Sequence, residues 1–452
     1  MEIHYLFYGI NTFIWGVLGD WILFVGLFMT LAVDFQTIWK LPKILHFFER
    51  SLRSPSLRRL DVLPAWQSVI LNSSAIIGVG NFVGTALAIY IGGPGVVFWA
   101  CVSIMLGFAP RFAEAYLSFA YRLKNDRGEW VGGPMYYLAA KMPKGLKWFA
   151  IVFAFFTLLS TLFSGNFFQV KVIGVAFQHW VGIPELWTCL LISVLSALII
   201  SGGLRRIVKA CVFLSPLALG LSVVMCASTL LMHASQIPAT VTMIVRDALS
   251  LKAIMAGSLA AVIGHGVRLG VLTSGAGLGR EVMLQTASEP ADPLSQAFTA
   301  VVISFFELIF VIMIALLIVM SGSYLDVNSP VQLIWAALDW GWEGSGLLFL
   351  LVGFSMGFTT IIAYYVIGER CFDFLLGTAH RWLFRLFWVL MIVAFHFLPT
   401  QISMQTNTII VSLACMPNLL GLLIISSTVF RFMRSGFRRV DHHYLIEGAS
   451  SR

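Results

Sequence analysis

The residues able to do chemistry are few, and several stand where a membrane would lie. Of 452 residues only 11% are charged, against about 25% in a soluble domain. Arg111, Lys171 and Arg268 nevertheless fall inside long apolar runs. A cation at the centre of a membrane helix costs about 2.5–3.5 kcal/mol even on lenient insertion scales, so such groups mark pathways or paired braces unless they snorkel to an interface. Arg111 and Glu114 stand three apart in RFAEAY, on one helix face, the spacing of an ion pair. They read as a structural brace. Asn81, Asn166 and Gln169 put uncharged polar groups at the same depth, where they bond across helices or meet a ligand. His265 has a ring whose ordinary pKa, about 6.5, permits a proton-linked role. Thr359 and Thr360 offer hydroxyl oxygens suited to a hard cation such as Na+, although such hydroxyls also bond back to their own helix. No HExxH, GxSxG or paired-His spacing is present, so no nucleophile–base or metal constellation supports an enzyme. Six scattered cysteines form no CxxC pair and read as buried small hydrophobes.

The elements that position these residues are apolar. The chain is 59% hydrophobic, with a mean hydropathy of +0.90. It reads as an all-α polytopic membrane protein. About 20 apolar residues cross a bilayer, which predicts eleven spans: 8–33, 64–91, 95–121, 147–178, 184–201, 207–232, 253–279, 294–321, 344–367, 382–399 and 404–430. Taking alternate loops, one side holds 24 of the 29 Lys and Arg and the other holds Arg246 and Lys252. The basic side is cytoplasmic. The N-terminus is then outside, the C-terminus inside, and the net charge of +8 needs no nucleic acid to explain it. MEIHYLFYGINTF lacks the basic region and cleavage pattern of a removable signal peptide. Segment 323–343 is too polar to span. Its Trp335, Trp340 and Trp342 suit the outer membrane interface, as a surface or re-entrant helix.

Two spans are rich in glycine: AIIGVGNFVG (Ala75 to Gly84) in the second and HGVRLGVLTSGAGLG (His265 to Gly279) in the seventh. Glycine costs a helix about 1 kcal/mol relative to alanine. Two such stretches, five spans apart, fit a pair of inverted repeats, each opening with an unwound helix whose free N–H and C=O groups bind substrate and cation. The repeats would be 64–232 and 253–430, after an extra helix at 8–33 and before a cytoplasmic tail at 431–452. An N–H cluster at a half-helix start favours a carboxylate.

GVGNFVGTALAIYIGGPGVVFW, GEWVGGPMYYL, SGNFFQV, SGAGLG, IGERCFDFLLG and MPNLLGLL follow one another along nearly the whole chain. Together they resemble the alanine or glycine:cation symporter family, with its GTGN…GGPG, GGPMYY, GNxxQ and NEAGLG signatures. The resemblance implies a LeuT-type 5+5 fold with one preceding helix, in a plasma (bacterial inner) membrane. It implies small neutral amino acids, alanine, glycine or serine, as substrates, no cofactor, and Na+ as the coupling ion. Substrate-binding candidates are Ile76, Gly78, Gly80, Asn81, Asn166, Gln169, His265, Gly266, Thr273 and Ser274, with the carboxylate near Gly78–Asn81 and the amino group near Gln169 and the seventh span. Cation candidates are Ile76, Val79, Thr359 and Thr360. Glu307, where the family has an acid, is the carboxylate partner expected for Lys171 or Arg268.

The departures fall on the presumed site. Ile76 and Val79 replace threonines, Ser274-Gly275 replaces Asn-Glu, and His265 replaces a tryptophan, which enlarges or polarises the pocket. Asn407 lies near an acidic position of the last span. A fixed Lys171 ammonium would take the electrostatic role of a bound cation, and one that deprotonates on desolvation would carry a proton in place of Na+. A receptor or scaffold that keeps the fold without transporting is a further alternative. The oligomeric state carries no signal.

Overall fold

The computed structural model describes residues 2–53, 63–250, 258–288, 292–326, 330–342 and 344–450. A helix occupies each of the eleven apolar stretches. Among the described residues, eight helices are long and apolar enough to cross a membrane, and Val17–Ala32 and Glu185–Ser201 are shorter apolar helices. Residues 253–257 of the seventh stretch, Lys252 and residues 54–62 between the first two stretches lie outside the described residues, as do 327–329 and 343 of the polar segment. The last helix, Thr400–Ser450, runs on through the expected tail.

The second stretch is two helices, Ala65–Ile76 and Val79–Gly92. The break is two residues long. Ile77 and Gly78 are extended, and a new helix starts at Val79. The extended shape suits any residue, so glycine is needed at 78 for space. A Cβ there would stand 2.7 Å from the Thr360 hydroxyl, a distance only glycine tolerates.

The seventh stretch departs from expectation. Helix Ser258–Ser274 runs unbroken through His265 and Gly266. It ends in Gly275, Gly277 and Gly279, all left-handed at φ +64°, +83° and +64°. Side chains resist that conformation and glycine accepts it. No α-helix resumes. A 3-10 segment, Glu281–Ala287, comes next and is almost wholly buried. It packs on Ala65–Ile76 and Val96–Ala120. Leu63 N–H donates to the Ala287 carbonyl at 3.1 Å, and Arg122 Nη1 donates to the carbonyls of Thr286 and Ser288 at 3.1 and 2.9 Å. The segment between the seventh and eighth stretches is therefore a buried plug and not a solvated loop.

The fourth stretch is interrupted by a π-helical segment, Thr161–Phe167, between Phe149–Ser160 and Phe168–Val181. Such bulges are rare and gather at functional sites. The polar 323–343 segment contains a helix, Pro330–Gly341. Trp335 is not an interfacial anchor: it is buried, stacked on His179 at 4.1 Å, and Trp340 stacks on His233 at 3.9 Å. Five cysteines are buried and Cys101 is half-buried; all are free.

Candidate functional site

A cavity of about 460 Å³ lies between the two interrupted stretches, the π segment and the start of the last helix. It runs from the first break along Gly84, Leu87 and Ala88 to Ile91, where Met404 and Gln405 form the facing rim. Ile91 is exposed, whereas Arg280 brings the buried plug to the lining.

The first break supplies backbone. Ile76, Gly78 and Gly80 line the cavity. The leading N–H groups of helix Val79–Gly92 have no partner within their own helix, as at any helix start. Asn81 also lines the cavity, but its amide is used within the protein: Oδ1 accepts from Gly78 N–H at 2.9 Å and Nδ2 donates to Glu307 at 3.3 Å. Asn81 therefore ties the loose strand to the new helix and holds it against Glu307.

The π segment supplies Ser164 and, just beyond it, Gln169. The Gln169 Nε2 donates to the Ser164 carbonyl at 3.2 Å, while its Oε1 is buried with no hydrogen-bond partner among the described residues. An unmet buried acceptor costs about 1–3 kcal/mol. Gln169 lines the cavity through its other atoms, and a turn of its amide would bring this unmet acceptor to an ammonium. Gly165 lets Tyr364 approach so closely that a Cβ would overlap its ring. Asn166 does not join the site. It is fully buried and donates to the Trp388 carbonyl at 3.1 Å.

The seventh stretch contributes unevenly. Thr273 lines the cavity. His265 lines it too, but near the rim against Gly92. Ten residues separate His265 from Gly275, about 15 Å of helix, so it is not beside the break. Gly266 is a packing glycine, since a Cβ would stand 2.5 Å from Trp99. Ser274 donates to the Gly270 carbonyl at 2.6 Å and accepts from Ala276 N–H at 3.3 Å, which closes the helix end. Neither Gly266 nor Ser274 lines the cavity. At the second break the Gly277 carbonyl is taken: Asn418 Nδ2 and Cys415 Sγ both donate to it, at 2.8 and 3.2 Å.

Of the four cation candidates, Thr360 and Ile76 line the cavity. The Thr360 hydroxyl lies 2.9 Å from the carbonyls of Ser74 and Met356, which sets hydroxyl and carbonyl oxygens side by side under the break. Thr359 instead bonds back to Ser355 and Met356. The Val79 side chain packs against Gly353 and Gly357.

The charged candidates separate. Lys171 is away from the cavity, paired with Glu185 at 2.5 Å. Arg268 lines the cavity and donates to Thr408 at 2.9 Å. Glu307, fully buried, meets Asn81 and neither cation. Arg111 and Glu114 do pair, at 3.7 Å and fully buried, and their brace is larger than the motif implied. Arg111 also reaches Glu281 at 3.4 Å, Glu114 accepts from Asn418 Nδ2 at 2.7 Å, and Tyr137 bonds Asn418. Glu281 pairs in turn with Arg280 at 2.7 Å. Arg280, counted in a loop from sequence, is buried and lines the cavity with Tyr364. The Arg-Glu pair directly after the glycine run was the available signal. Gly275 makes room for it, because a Cβ there would stand 2.5 Å from Glu281.

The sodium:alanine symporter family model matches residues 1–444. The chain is 30% identical to the sodium/alanine symporter AgcS of Methanococcus maripaludis over 93% of this chain and 94% of that one. It is 29% identical to an uncharacterized transporter of Haemophilus influenzae over 98% of each. It is 25% identical to the amino-acid carrier protein AlsT of Bacillus subtilis over 93% and 89%. Among solved structures, the substrate-bound, outward-open state of a Na+-coupled sialic acid symporter superposes with a TM-score of 0.50 at 15% identity, covering 93% of this chain and 85% of the other. At that identity it speaks for the fold alone. The broken second stretch, the cavity beside it and the whole-length family match agree, and the chain belongs to the sodium:alanine symporter family.

Proposed function

We propose that the protein carries a small neutral amino acid, alanine or glycine first and serine next, into the cell together with Na+. As a member of a symporter family it is a transporter and not an enzyme. The carrying observation is that one cavity is lined by the helix start at Gly78–Gly80, by Gln169 with its unmet amide acceptor, and by Thr360, whose hydroxyl lies beside the Ser74 carbonyl. The helix start suits a carboxylate. Gln169 suits the ammonium. Thr360, Ser74 and the carbonyls of the break are hard oxygens that suit Na+. A site of this kind between interrupted helices is how inverted-repeat transporters hold substrate and ion.

The finer architecture belongs to the same reading: eleven spans, repeats at 64–232 and 253–430 behind a leading helix, N-terminus outside and C-terminus in the cytoplasm. With that topology the Ile91 end faces outward and the plug faces the cytoplasm. Proton coupling through Lys171 loses its support, because that ammonium is paired with Glu185 away from the cavity. The test is uptake of labelled alanine, glycine and serine in vesicles with Na+ and H+ gradients imposed separately. Uptake driven by the Na+ gradient at fixed pH is expected. Uptake driven by the pH gradient alone would overturn the ion assignment, and binding without uptake would leave a receptor.

A further inference from the structure

The cavity carries more positive charge than an alanine can use. Arg268 reaches it from helix Ser258–Ser274. Arg280 reaches it from the plug. Its Nε pairs with Glu281 at 2.7 Å, its Nη1 reaches the Ser160 and Ser164 hydroxyls at 3.2 and 3.5 Å, and its guanidinium lies 5.0 Å from the Tyr364 ring centre. The guanidinium also interacts with the Tyr364 hydroxyl, and both residues line the cavity. His265 is the third basic side chain on the wall, and no carboxylate lines the cavity among the described residues. The Glu307 and Glu281 carboxylates stand behind the wall, held by Asn81 and by Arg111 and Arg280.

The volume also exceeds a small residue. A cavity of about 460 Å³ falls in the range that encloses drug-sized ligands. The helix start and Gln169 account for the head of an amino acid. The guanidiniums are left for its side chain, and their planar fork matches a carboxylate. With a neutral substrate they keep Thr408 and Glu281 as partners, so alanine need not be refused.

We infer that the cavity also takes amino acids with a short acidic side chain, whose second carboxylate is read by Arg280 and Arg268. This rests on the symporter reading of the same cavity. Aspartate, asparagine and alanine are the probes. In vesicles under an inward Na+ gradient, aspartate competes with labelled alanine better than asparagine does, and labelled aspartate itself is taken up. Arg280→Gln lowers the preference for aspartate over alanine by about tenfold, as loss of one charge-assisted hydrogen bond would, and Arg280→Lys recovers part of it. If Arg280→Gln fails to reach the membrane, Arg268→Gln carries the same expectation. Alanine uptake that aspartate does not inhibit, or that asparagine inhibits equally well, overturns the inference while leaving the symporter. If the vesicles take up no amino acid, the symporter reading fails, and thermal stabilisation of detergent-solubilised protein decides the inference alone. Stabilisation by aspartate that disappears in Arg280→Gln sustains it; no stabilisation refutes it.

Discussion

At the scale of single residues, three amide side chains set in apolar helices do three different things. Asn81, Asn166 and Gln169 look equivalent as polar groups in apolar helices, yet Asn81 caps a broken strand, Asn166 holds the Trp388 carbonyl, and Gln169 leaves an acceptor open. The π segment decides this last difference, because it changes which face each residue of GNFFQ presents, and its glycine and asparagine do not announce an extra residue per turn. Gln169→Ala removes a hydrogen bond to a charged group, worth about 1.5–3 kcal/mol, so the KM for alanine rises about tenfold or more with normal membrane abundance. Labelled-alanine kinetics check it, and an unchanged KM dismisses Gln169 from the site. Thr360→Val removes the hydroxyl beside the Ser74 carbonyl and should raise the Na+ concentration needed for half-maximal uptake, whereas Thr359→Val should not, since Thr359 faces its own helix. Lys171→Gln breaks a partly exposed pair of the kind that contributes about 0–1 kcal/mol, and the ion that drives uptake should stay the same.

At the scale of elements, helix positions followed from hydropathy, and the interruptions only partly. The first break was visible because glycine and asparagine interrupt an apolar run, and the chain does open there at Ile77 and Gly78. The second lay at the end of its glycine-rich stretch, because three left-handed glycines turn the chain and His265 and Gly266 stay helical. Beyond those glycines, REVMLQTAS has the look of a short loop, since no run of apolar length resumes. It is buried instead because Arg111, Arg280 and Arg122 satisfy its charges and carbonyls, which is context that no local pattern carries. Gly78→Ala tests the tightness of the first break. The added Cβ would meet the Thr360 oxygen at 2.7 Å, so one of the two must move, and Na+-dependent uptake should fall well below that of Gly80→Ala, where the nearest side-chain atoms are 3.7 Å away.

At the scale of the whole molecule, loop charge predicts which end faces the cytoplasm. A Gly128→Cys substitution in the exposed hairpin turn should resist impermeant thiol reagents in intact cells and react after permeabilisation; labelling in intact cells would invert the topology. The same end carries a charge cluster that ties the hairpin to the ninth and tenth stretches. Glu129 accepts from Arg381 at 2.6 Å and from Arg370 at 3.1 Å. Burial pushes its carboxyl up, but Arg381, Arg370 and Asn125 outweigh that and hold it down at about 2. A depressed folded value stabilises the fold fully above the ordinary value of 4.5 and less as pH falls from there toward 2. The melting-temperature gap between the protein and Glu129→Gln should therefore be level near neutrality and shrink below about pH 4.5. The buried plug has an electrical consequence as well. On the proposed topology, water entering from the Ile91 end would carry the external potential down to the first break, and the field would fall across the part beneath it. Helix Ala65–Ile76 alone, 12 residues long, measures about 18 Å. A cation at the proposed site beside Thr360 would then cross little of the membrane potential, and most of its share, about 2.3 kcal/mol per charge per 100 mV, would be collected only when the far side opens. Membrane voltage should accordingly drive the return of the loaded carrier more than the capture of Na+.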